Sequence, residues 1–273
     1  MKKRKRDSSG FAVKDALIVA LLVIIAVQGY WLLRRAKNKT EHRPRQTQLT
    51  SKRLGKIALI IDDSGYNIQD CDDLKSISYP VTISILPELT YSRDIAACAR
   101  QYHKGVMLHL PLEPHQNADH YSKGYIITTV MSPQEVRKRF REEAASVPFI
   151  EGVNNHMGSA ATEDPQLMAL LFDQFKKAGL FFIDSRVTSK SICAPLAKRK
   201  GIPFAQRDVF LDNQKNREYI EGQFRELAKI ARENGYAIGI GHARALTWQI
   251  IKEQTEKLSN EGFEIVPVAK LVQ

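Results

Sequence analysis

A short apolar run that ends in two carboxylates constrains this chain most. Ile57–Ile61 is apolar and mostly β-branched, and Asp62, Asp63, Ser64 and Gly65 follow it. Such a run favours a strand buried on both faces, as in a parallel sheet. Ligands and catalytic groups of α/β folds gather at the carboxyl ends of strands, so the pair suits one metal contact and one proton transfer. A capping aspartate beside a solvated one explains the pair equally well at this point.

The chain after Lys56 alternates short apolar strands with longer amphipathic segments. The strand candidates are Ile57–Ile61, Val81–Leu86, Gly105–Leu110, Gly152–Asn155, Leu180–Ile183, Pro203–Ala205, Ala237–Ile240 and Glu264–Val266. Helices are expected to begin at Pro133 and Pro165, which follow the capping residues Ser132 and Asp164. Helices are expected to end at Gly179, Gly201, Gly235 and Gly262. This α/β pattern favours a distorted (β/α) barrel of about seven to eight strands over an open doubly wound sheet.

The basic charge of the chain is confined to its amino-terminal part. Residues 1–55 hold 14 Lys/Arg and 3 Asp/Glu, which accounts for the whole net charge of +11. Residues 56–273 hold 27 of each sign. A nucleic-acid-binding domain needs a basic face, so we expect no nucleic-acid partner.

Residues 16–33 are uncharged and predominantly apolar, and as a helix they would span about 27 Å, enough for a bilayer core. We predict a basic leader over 1–15, a transmembrane signal anchor over 16–33, a basic linker over 34–55 and the barrel domain over 56–273. The leading charge cluster predicts a single-pass membrane protein with its domain on the extracytoplasmic (periplasmic) side. A cleaved signal peptide is the alternative.

The three cysteines show no recognisable spacing. Cys71, Cys98 and Cys193 are odd in number and form no C-x-x-C pair. We expect them to pack as small apolar residues rather than to form a disulfide framework.

Polar side chains follow the predicted strands at their carboxyl ends. They are His109 and Glu113 at and beyond the end of the third strand, Asn154, Asn155 and His156 at the end of the fourth, Asp184 and Arg186 after the fifth, Arg207, Asp208 and Asp212 after the sixth, and His242 after the seventh. A lone histidine at a strand end is usually structural. Because barrel strands deliver their ends to one face, a single site is the better interpretation of the set.

The residue types point to a metal-dependent hydrolase. Imidazoles together with a carboxylate are the usual ligands of catalytic zinc. Asp63, His109 and His156 are therefore the predicted ligands of a divalent metal, with Zn²⁺ as the first candidate. Asp62 is the predicted base, and His242 the predicted acid or oxyanion support.

The other polar residues are assigned supporting tasks. Arg186 and Arg207 are predicted to orient carboxylates or to bind an anionic substrate group. Asp184 and Asp208 are predicted to support the imidazoles or these arginines. Glu113 and Asn155 are candidates for supporting the ligands or contacting substrate.

Six segments together resemble the divergent polysaccharide deacetylase family, a branch of the NodB-type carbohydrate esterases. They read I-D-D-S-G, H-L-P-L-E-P, G-V-N-N-H-M-G-S, F-I-D-S-R, R-D-V-F-L-D-N and A-I-G-I-G-H. The resemblance implies a distorted barrel, a divalent metal and an amidase acting on N-acetylated sugars. It also implies that the Asp62–Asp63 pair provides base and metal ligand.

This chain departs from the ordinary deacetylase pattern. It has no H-S-x-x-H pair and no R-x-P-Y segment, so the second imidazole ligand must come from another strand, and His156 is our choice. Ser64 stands where the divergent branch more often has an aromatic residue, and Ala243 where it has proline. These departures bear on substrate preference and activity.

The leading hypothesis is a membrane-anchored, metal-dependent deacetylase that removes N-acetyl groups from an envelope polysaccharide. The alternative is a catalytically inactive deacetylase-like barrel that binds glycan or an envelope protein. A third reading, a phosphoesterase, is less favoured because no further cluster of metal-binding carboxylates lies close in sequence.

Overall fold

The computed structural model describes residues 9–41, 54–116 and 125–273. The chain divides into two compact units, Met1–Ser51 and Lys52–Gln273. Residues 1–8 of the predicted leader and residues 42–53 of the predicted linker lie outside the described residues. The division into leader, anchor, linker and barrel stays a prediction.

The first unit contains one helix, α1 (Ser9–Glu41), in its described part. Large apolar side chains of this helix are exposed, among them Leu21, Leu22 and Leu33. Among the described residues, no helix is both long enough and apolar enough to cross a membrane.

The second unit is built on one curled parallel sheet, as the predicted α/β class requires. Its strands are β1 (Lys56–Ser64), β2 (Thr82–Ile85), β3 (Gly105–Leu112), β4 (Gly152–Met157), β5 (Phe181–Asp184), β6 (Phe204–Gln206), β7 (Val209–Phe210), β8 (Tyr236–His242) and β9 (Glu264–Ile265). Their order is β6-β5-β4-β3-β2-β1-β8-β7, and β9 pairs with β1. The sheet curls into a half-barrel, and in the part of the chain described here β6 and β7 are not paired with each other. Strand β7 was not predicted from the sequence, because a strand of only two residues shows no periodic pattern of apolar side chains.

Helices follow most strands. They are α2 (Asp70–Ser76), α3 (Ser92–Gln101), α4 (Pro133–Ser146), α5 (Pro165–Ala178), α6 (Cys193–Lys200), α7 (Arg217–Asn234) and α8 (Ala245–Glu261), with 3₁₀ turns at Ala161–Glu163 and Val268–Lys270. The two predicted helix starts are confirmed: Ser132 forms a capping box with Glu135, and Asp164 accepts two backbone hydrogen bonds. The four predicted glycine ends are confirmed as well, each with a positive φ.

Strand β1 lies at the centre of the core. Ile57, Leu59 and Ile61 join the larger apolar cluster, which includes residues of the surrounding helices. Ala58 and Ile60 join a second cluster formed mainly by strand residues. All five side chains are fully buried, so the prediction of a strand buried on both faces is confirmed.

The expectation for the cysteines was wrong for two of the three. Cys71 on α2 and Cys98 on α3 form a disulfide, with their Cα atoms 5.8 Å apart. Cys193 is free and buried, as expected. Packing of α2 beside α3 brings the pair together, and a separation of 27 residues gives no local signal of it.

Candidate active site

Both aspartates at the end of β1 reach the same site because the strand is bulged there. Ile61 pairs with Ile83 and Ser64 with Ile85, so β1 uses one residue more than β2 between these pairs. Asp63 lies in this bulge with a φ of 61°, a left-handed conformation that aspartate tolerates better than most residues. A bulge re-aims side chains beside a site, and here it lets two successive carboxylates share one face.

Asp63, His109 and His156 converge from β1, β3 and β4. Asp63 Oδ1 lies 3.2 Å from His109 Nε2 and 3.0 Å from His156 Nδ1. The two ring nitrogens are 3.1 Å apart. The structure thus brings together the three predicted ligands in one group that could hold a metal ion.

The spacing of this group fits a first-row divalent cation. Nitrogen and oxygen ligands at about 2.0–2.1 Å in a tetrahedron stand about 3.3 Å from one another. The three observed separations, 3.0–3.2 Å, are close to that edge. Three ligands also leave the fourth position that a catalytic site needs for water or substrate.

Asn154 connects this group to Asp62. Its Nδ2 donates to Asp62 Oδ1 over 2.8 Å, and its Oδ1 accepts from His109 Nδ1 over 2.9 Å. Ser84 Oγ also donates to Asn154 Oδ1. With Nδ1 as the donor, a neutral His109 directs the lone pair of Nε2 at the ligand group, as a metal requires.

The sequence predicted a supporting role for Asn155 and none for Asn154. Asn155 contacts only backbone atoms in its described hydrogen bonds: its Nδ2 donates to the Met157 carbonyl, and its Oδ1 accepts from the Ser185 N–H. The period of a strand could have found the right residue. Asn154 stands two positions before His156, so both side chains lie on one face of β4.

The two aspartates differ in their electrostatics. Burial raises the pKa of Asp62, and the charge of His109 and the hydrogen bond from Asn154 only partly oppose it. Burial acts on Asp63 in the same direction, but the two imidazoles outweigh it and hold the pKa of Asp63 well below its usual range. Asp63 therefore suits a permanently ionised ligand, and Asp62 a group that exchanges a proton.

His242 is held beside this group by Asp212. It pairs in register with Asp62, and its Nε2 lies 4.0 Å from Asp63 Oδ2. Asp212 Oδ1 accepts from His242 Nδ1 over 2.7 Å, and Oδ2 accepts from the His242 backbone N–H and from Thr247. Burial lowers the pKa of His242, but the hydrogen bond and charge of Asp212 outweigh it and raise the net value. The sequence placed Asp212 at this end of the sheet without giving it a task.

The other predicted residues make mostly backbone contacts around the site. Glu113 accepts hydrogen bonds from the backbone N–H and hydroxyl of Thr129, and Asp208 accepts one from the Ile238 N–H. Asp184 accepts from the Arg186 N–H and from the Ser191 hydroxyl. Arg207 donates to the Ser185 and Arg186 carbonyls. None of these hydrogen bonds reaches an imidazole. Arg207 is linked to the site through an aromatic ring: its Cζ lies 3.7 Å from the centroid of Phe210, which stacks on His242.

An open cleft adjoins the ligand group. Its volume is about 530 Å³, part of it open to solvent, and His156 forms one wall. Most of the remaining lining is apolar or aromatic: Tyr66, Leu86, Pro87, Leu89, Pro111, Tyr125 and Ile126. A substrate in this cleft would contact rings and aliphatic groups beside the predicted metal ligands.

The sequence is similar to a protein family and to two curated relatives. Residues 59–272 match the sequence model of the family described as divergent polysaccharide deacetylase. An uncharacterized protein of Haemophilus influenzae is 32% identical over 216 residues, which are 79% of this chain and 76% of that protein. The uncharacterized protein YibQ of Escherichia coli is 28% identical over 204 residues, 75% of this chain and 63% of YibQ.

A solved structure shares the fold. The crystal structure of the uncharacterized protein ATU2773 of Agrobacterium tumefaciens superimposes with a TM-score of 0.77 at 22% identity. The match covers 82% of this chain and 91% of that one.

Proposed function

We propose, from the premise that this chain belongs to the divergent polysaccharide deacetylase family, that it is a metal-dependent deacetylase acting on an N-acetylated polysaccharide of the cell envelope. The observation that carries the proposal is the convergence of Asp63, His109 and His156 beside the buried carboxyl of Asp62. A binding module has no need of this arrangement. A hydrolase needs both parts of it, a cation site and a proton acceptor.

Asp63, His109 and His156 would hold the cation, with Zn²⁺ as the first candidate from the donor set. When bound, the cation would supply Lewis acidity for the amide carbonyl and for an attacking water. Asn154 keeps His109 in the required tautomer and orients Asp62. The side-chain amide of Asn154 thereby positions both a metal ligand, His109, and the base, Asp62.

Asp62 and His242 would handle the protons of amide hydrolysis. Asp62, oriented by Asn154, accepts a proton from the attacking water. His242, whose pKa Asp212 raises against the opposing effect of burial, donates a proton to the departing sugar amine. Each step transfers one proton, and the products are acetate and a free amine.

No helix among the described residues meets the length and apolarity of a membrane span. We nevertheless propose, from the sequence of the whole stretch, that residues 16–33 anchor the chain in a membrane, with the barrel domain on the periplasmic side. Support comes from the uncharged apolar sequence of this stretch and from the disulfide between Cys71 and Cys98. Disulfides persist in oxidising compartments and are rare in the cytosol. Alkaline phosphatase fused after Gln273 should be active, whereas an active cytoplasm-only reporter at that point would reverse the topology.

Release of acetate tests the proposed activity. The full chain, purified in detergent and loaded with Zn²⁺, is incubated with a panel of N-acetylated oligosaccharides, and free acetate is measured. We expect metal-dependent release from at least one of them, and at most weak release by the Asp62→Asn variant. A metal-loaded chain that binds glycan but releases no acetate would instead support the inactive, glycan-binding barrel.

A further inference from the structure

A second cleft with two guanidinium groups lies next to the candidate active site. It is lined by Arg186, Val187, Thr188, Ser189, Arg207 and Asp208, and is called the arginine cleft below. Neither arginine is needed for the metal group or for the proton transfers proposed above.

Arg207 is held rigidly in the arginine cleft. Its Nε donates to the Ser185 carbonyl over 2.7 Å, its Nη2 donates to the Arg186 carbonyl over 2.9 Å, and its guanidinium lies on the ring of Phe210. A guanidinium has five N–H groups, so these contacts fix the plane and leave donors for a further acceptor. Burial, and then the nearby charge of Arg186, lower the pKa of Arg207.

Arg186 brings a second positive charge to the same place. Its backbone is left-handed, with a φ of 48°, and its N–H donates to Asp184 Oδ1 over 2.7 Å. The residue is exposed, and within residues 54–116 and 125–273 its guanidinium has no hydrogen-bond or ion-pair partner. A strained backbone thus holds one cation beside another, although like charges repel.

The carboxylates nearby offset part of this positive charge: Asp208 acts on both arginines, and Asp184 and Asp62 act on Arg207. Asp208 lines the cleft, but its Oδ2 accepts from the Ile238 N–H, and within the described residues its carboxylate forms no direct ion pair with Arg186 or Arg207. Asp184 uses one oxygen for the Arg186 N–H and the other for the Ser191 hydroxyl. The arginine cleft therefore has two cations against one lining carboxylate.

The arginine cleft is close enough to the reacting groups for one ligand to reach both. Phe210, which contacts Arg207, stacks on His242 with ring centroids 5.9 Å apart. Ser185, whose carbonyl accepts from Arg207, has a hydroxyl 3.3 Å from Asn154 Nδ2. Phe210 therefore contacts both the guanidinium of Arg207 and the ring of the proposed acid.

We propose that the arginine cleft binds a carboxylate or phosphate group of the substrate, so that the preferred glycan is acidic and carries its anionic group on or next to the N-acetylated sugar. This inference rests on the proposed deacetylase function and specifies its substrate class. Arg207 provides a planar guanidinium that is already fixed in place, and Arg186 provides a second positive charge in the same cleft.

Binding of matched glycans to the full chain in detergent tests the proposal without requiring turnover. Three N-acetylated tetrasaccharides of equal length are titrated calorimetrically: a neutral one, one with carboxylates and one with phosphates. We expect at least one acidic tetrasaccharide to bind about 10–100-fold more tightly than the neutral one, the effect of a charge-assisted pair. Comparison of the two acidic arms identifies which anion is preferred.

Three variants locate the effect. Arg186→Gln should lower the ratio of acidic to neutral affinity about tenfold or more, and Arg207→Lys should lower it less, since it keeps the charge but loses the planar donor. Lys190→Gln, an exposed neighbour outside the lining, should leave the ratio unchanged. Circular dichroism confirms that each variant is folded.

Several results would overturn the proposal: equal affinity for all three glycans, no binding of any of them, or equal effects of Arg186→Gln and Lys190→Gln. Acetate release from the neutral glycan without acidic preference would reject the arginine cleft and leave the deacetylase function standing. Arginine-dependent binding without acetate release from any glycan would reject the activity and keep the cleft.

Discussion

Asn154 donates a hydrogen bond to Asp62 over 2.8 Å, and both residues are buried. The same amide accepts from His109, so a single side chain orients the proposed base and one proposed metal ligand. Because the amide can satisfy both partners only in one orientation, it fixes which ring nitrogen of His109 faces the ligand group. The geometry of the site therefore depends on a residue that touches neither metal nor substrate in the proposed mechanism.

Replacing Asn154 should weaken metal binding without abolishing it. Asn154→Ala removes the acceptor for His109 Nδ1 and lets the ring turn, and losses of this kind typically cost about 10–100-fold in affinity. Competition with a chelator measures the change. Asn155→Ala is the matched control, because Asn155 is equally buried and bonds only to backbone atoms in the hydrogen bonds described. Equal losses in both variants would assign Asn154 a purely structural role.

Asp62→Asn should separate catalysis from metal binding. The amide keeps the shape of the side chain and loses the proton acceptor, so turnover should fall by roughly 10²–10⁴ while the metal stays bound. Acetate release and metal content, measured on the same preparation, check both parts. An empty metal site in Asp62→Asn, with a full one in Asp63→Asn, would exchange the roles of the two aspartates.

The basic limb of the pH–activity profile should depend on Asp212. His242 is active as an acid only below its pKa, which the hydrogen bond and charge of Asp212 raise against the opposing effect of burial. Asp212→Asn should therefore move the basic limb to lower pH and leave the acidic limb, assigned to Asp62, in place. A profile in which only the acidic limb moves would contradict the assignment of His242 as the acid.

Glu143 on α4 should make the barrel less stable as the pH rises. Its carboxyl is fully buried, both oxygens lack hydrogen-bond partners among the described residues, and burial raises its pKa to about 9. The folded chain therefore keeps a proton that the unfolded chain releases above its ordinary pKa of 4.5. Between these values the free energy of unfolding should fall by about 1.4 kcal/mol per pH unit.

Glu143→Gln should remove this slope, and Glu142→Gln, an exposed neighbour, should keep it. Urea unfolding of the full chain at pH 6 and pH 8, followed by the fluorescence of buried Trp248, measures the difference. Identical slopes in the wild-type chain and Glu143→Gln would show that Glu143 is not the group that titrates.

The sequence predicted those features that depend on one segment at a time. The apolar run of β1 needed no partner to indicate a strand buried on both faces, and Ser132 and Asp164 determine their helix starts locally. His109 and His156 could be placed together because each lies in the carboxyl-terminal half of a parallel strand.

Features that depend on pairing between distant segments were missed. The bulge that turns Asp63 toward His109 exists only because β1 is paired with β2. Asp212 follows β7, a strand too short to show a sequence pattern. It comes close to His242 only because β7 pairs with β8, the strand that ends at His242. Cys71 and Cys98 meet because their two helices pack together, which no spacing indicated.

Metal content of the purified full chain tests the central claim most directly, since it concerns Asp63, His109 and His156 without reference to any substrate. After exposure to Zn²⁺ and removal of the excess, elemental analysis of the wild-type chain should give about one ion per chain. His109→Ala and His156→Ala should lose most of it, and His115→Ala, an exposed histidine paired with Glu163, should retain it. Full occupancy in both His109→Ala and His156→Ala would contradict the proposed site.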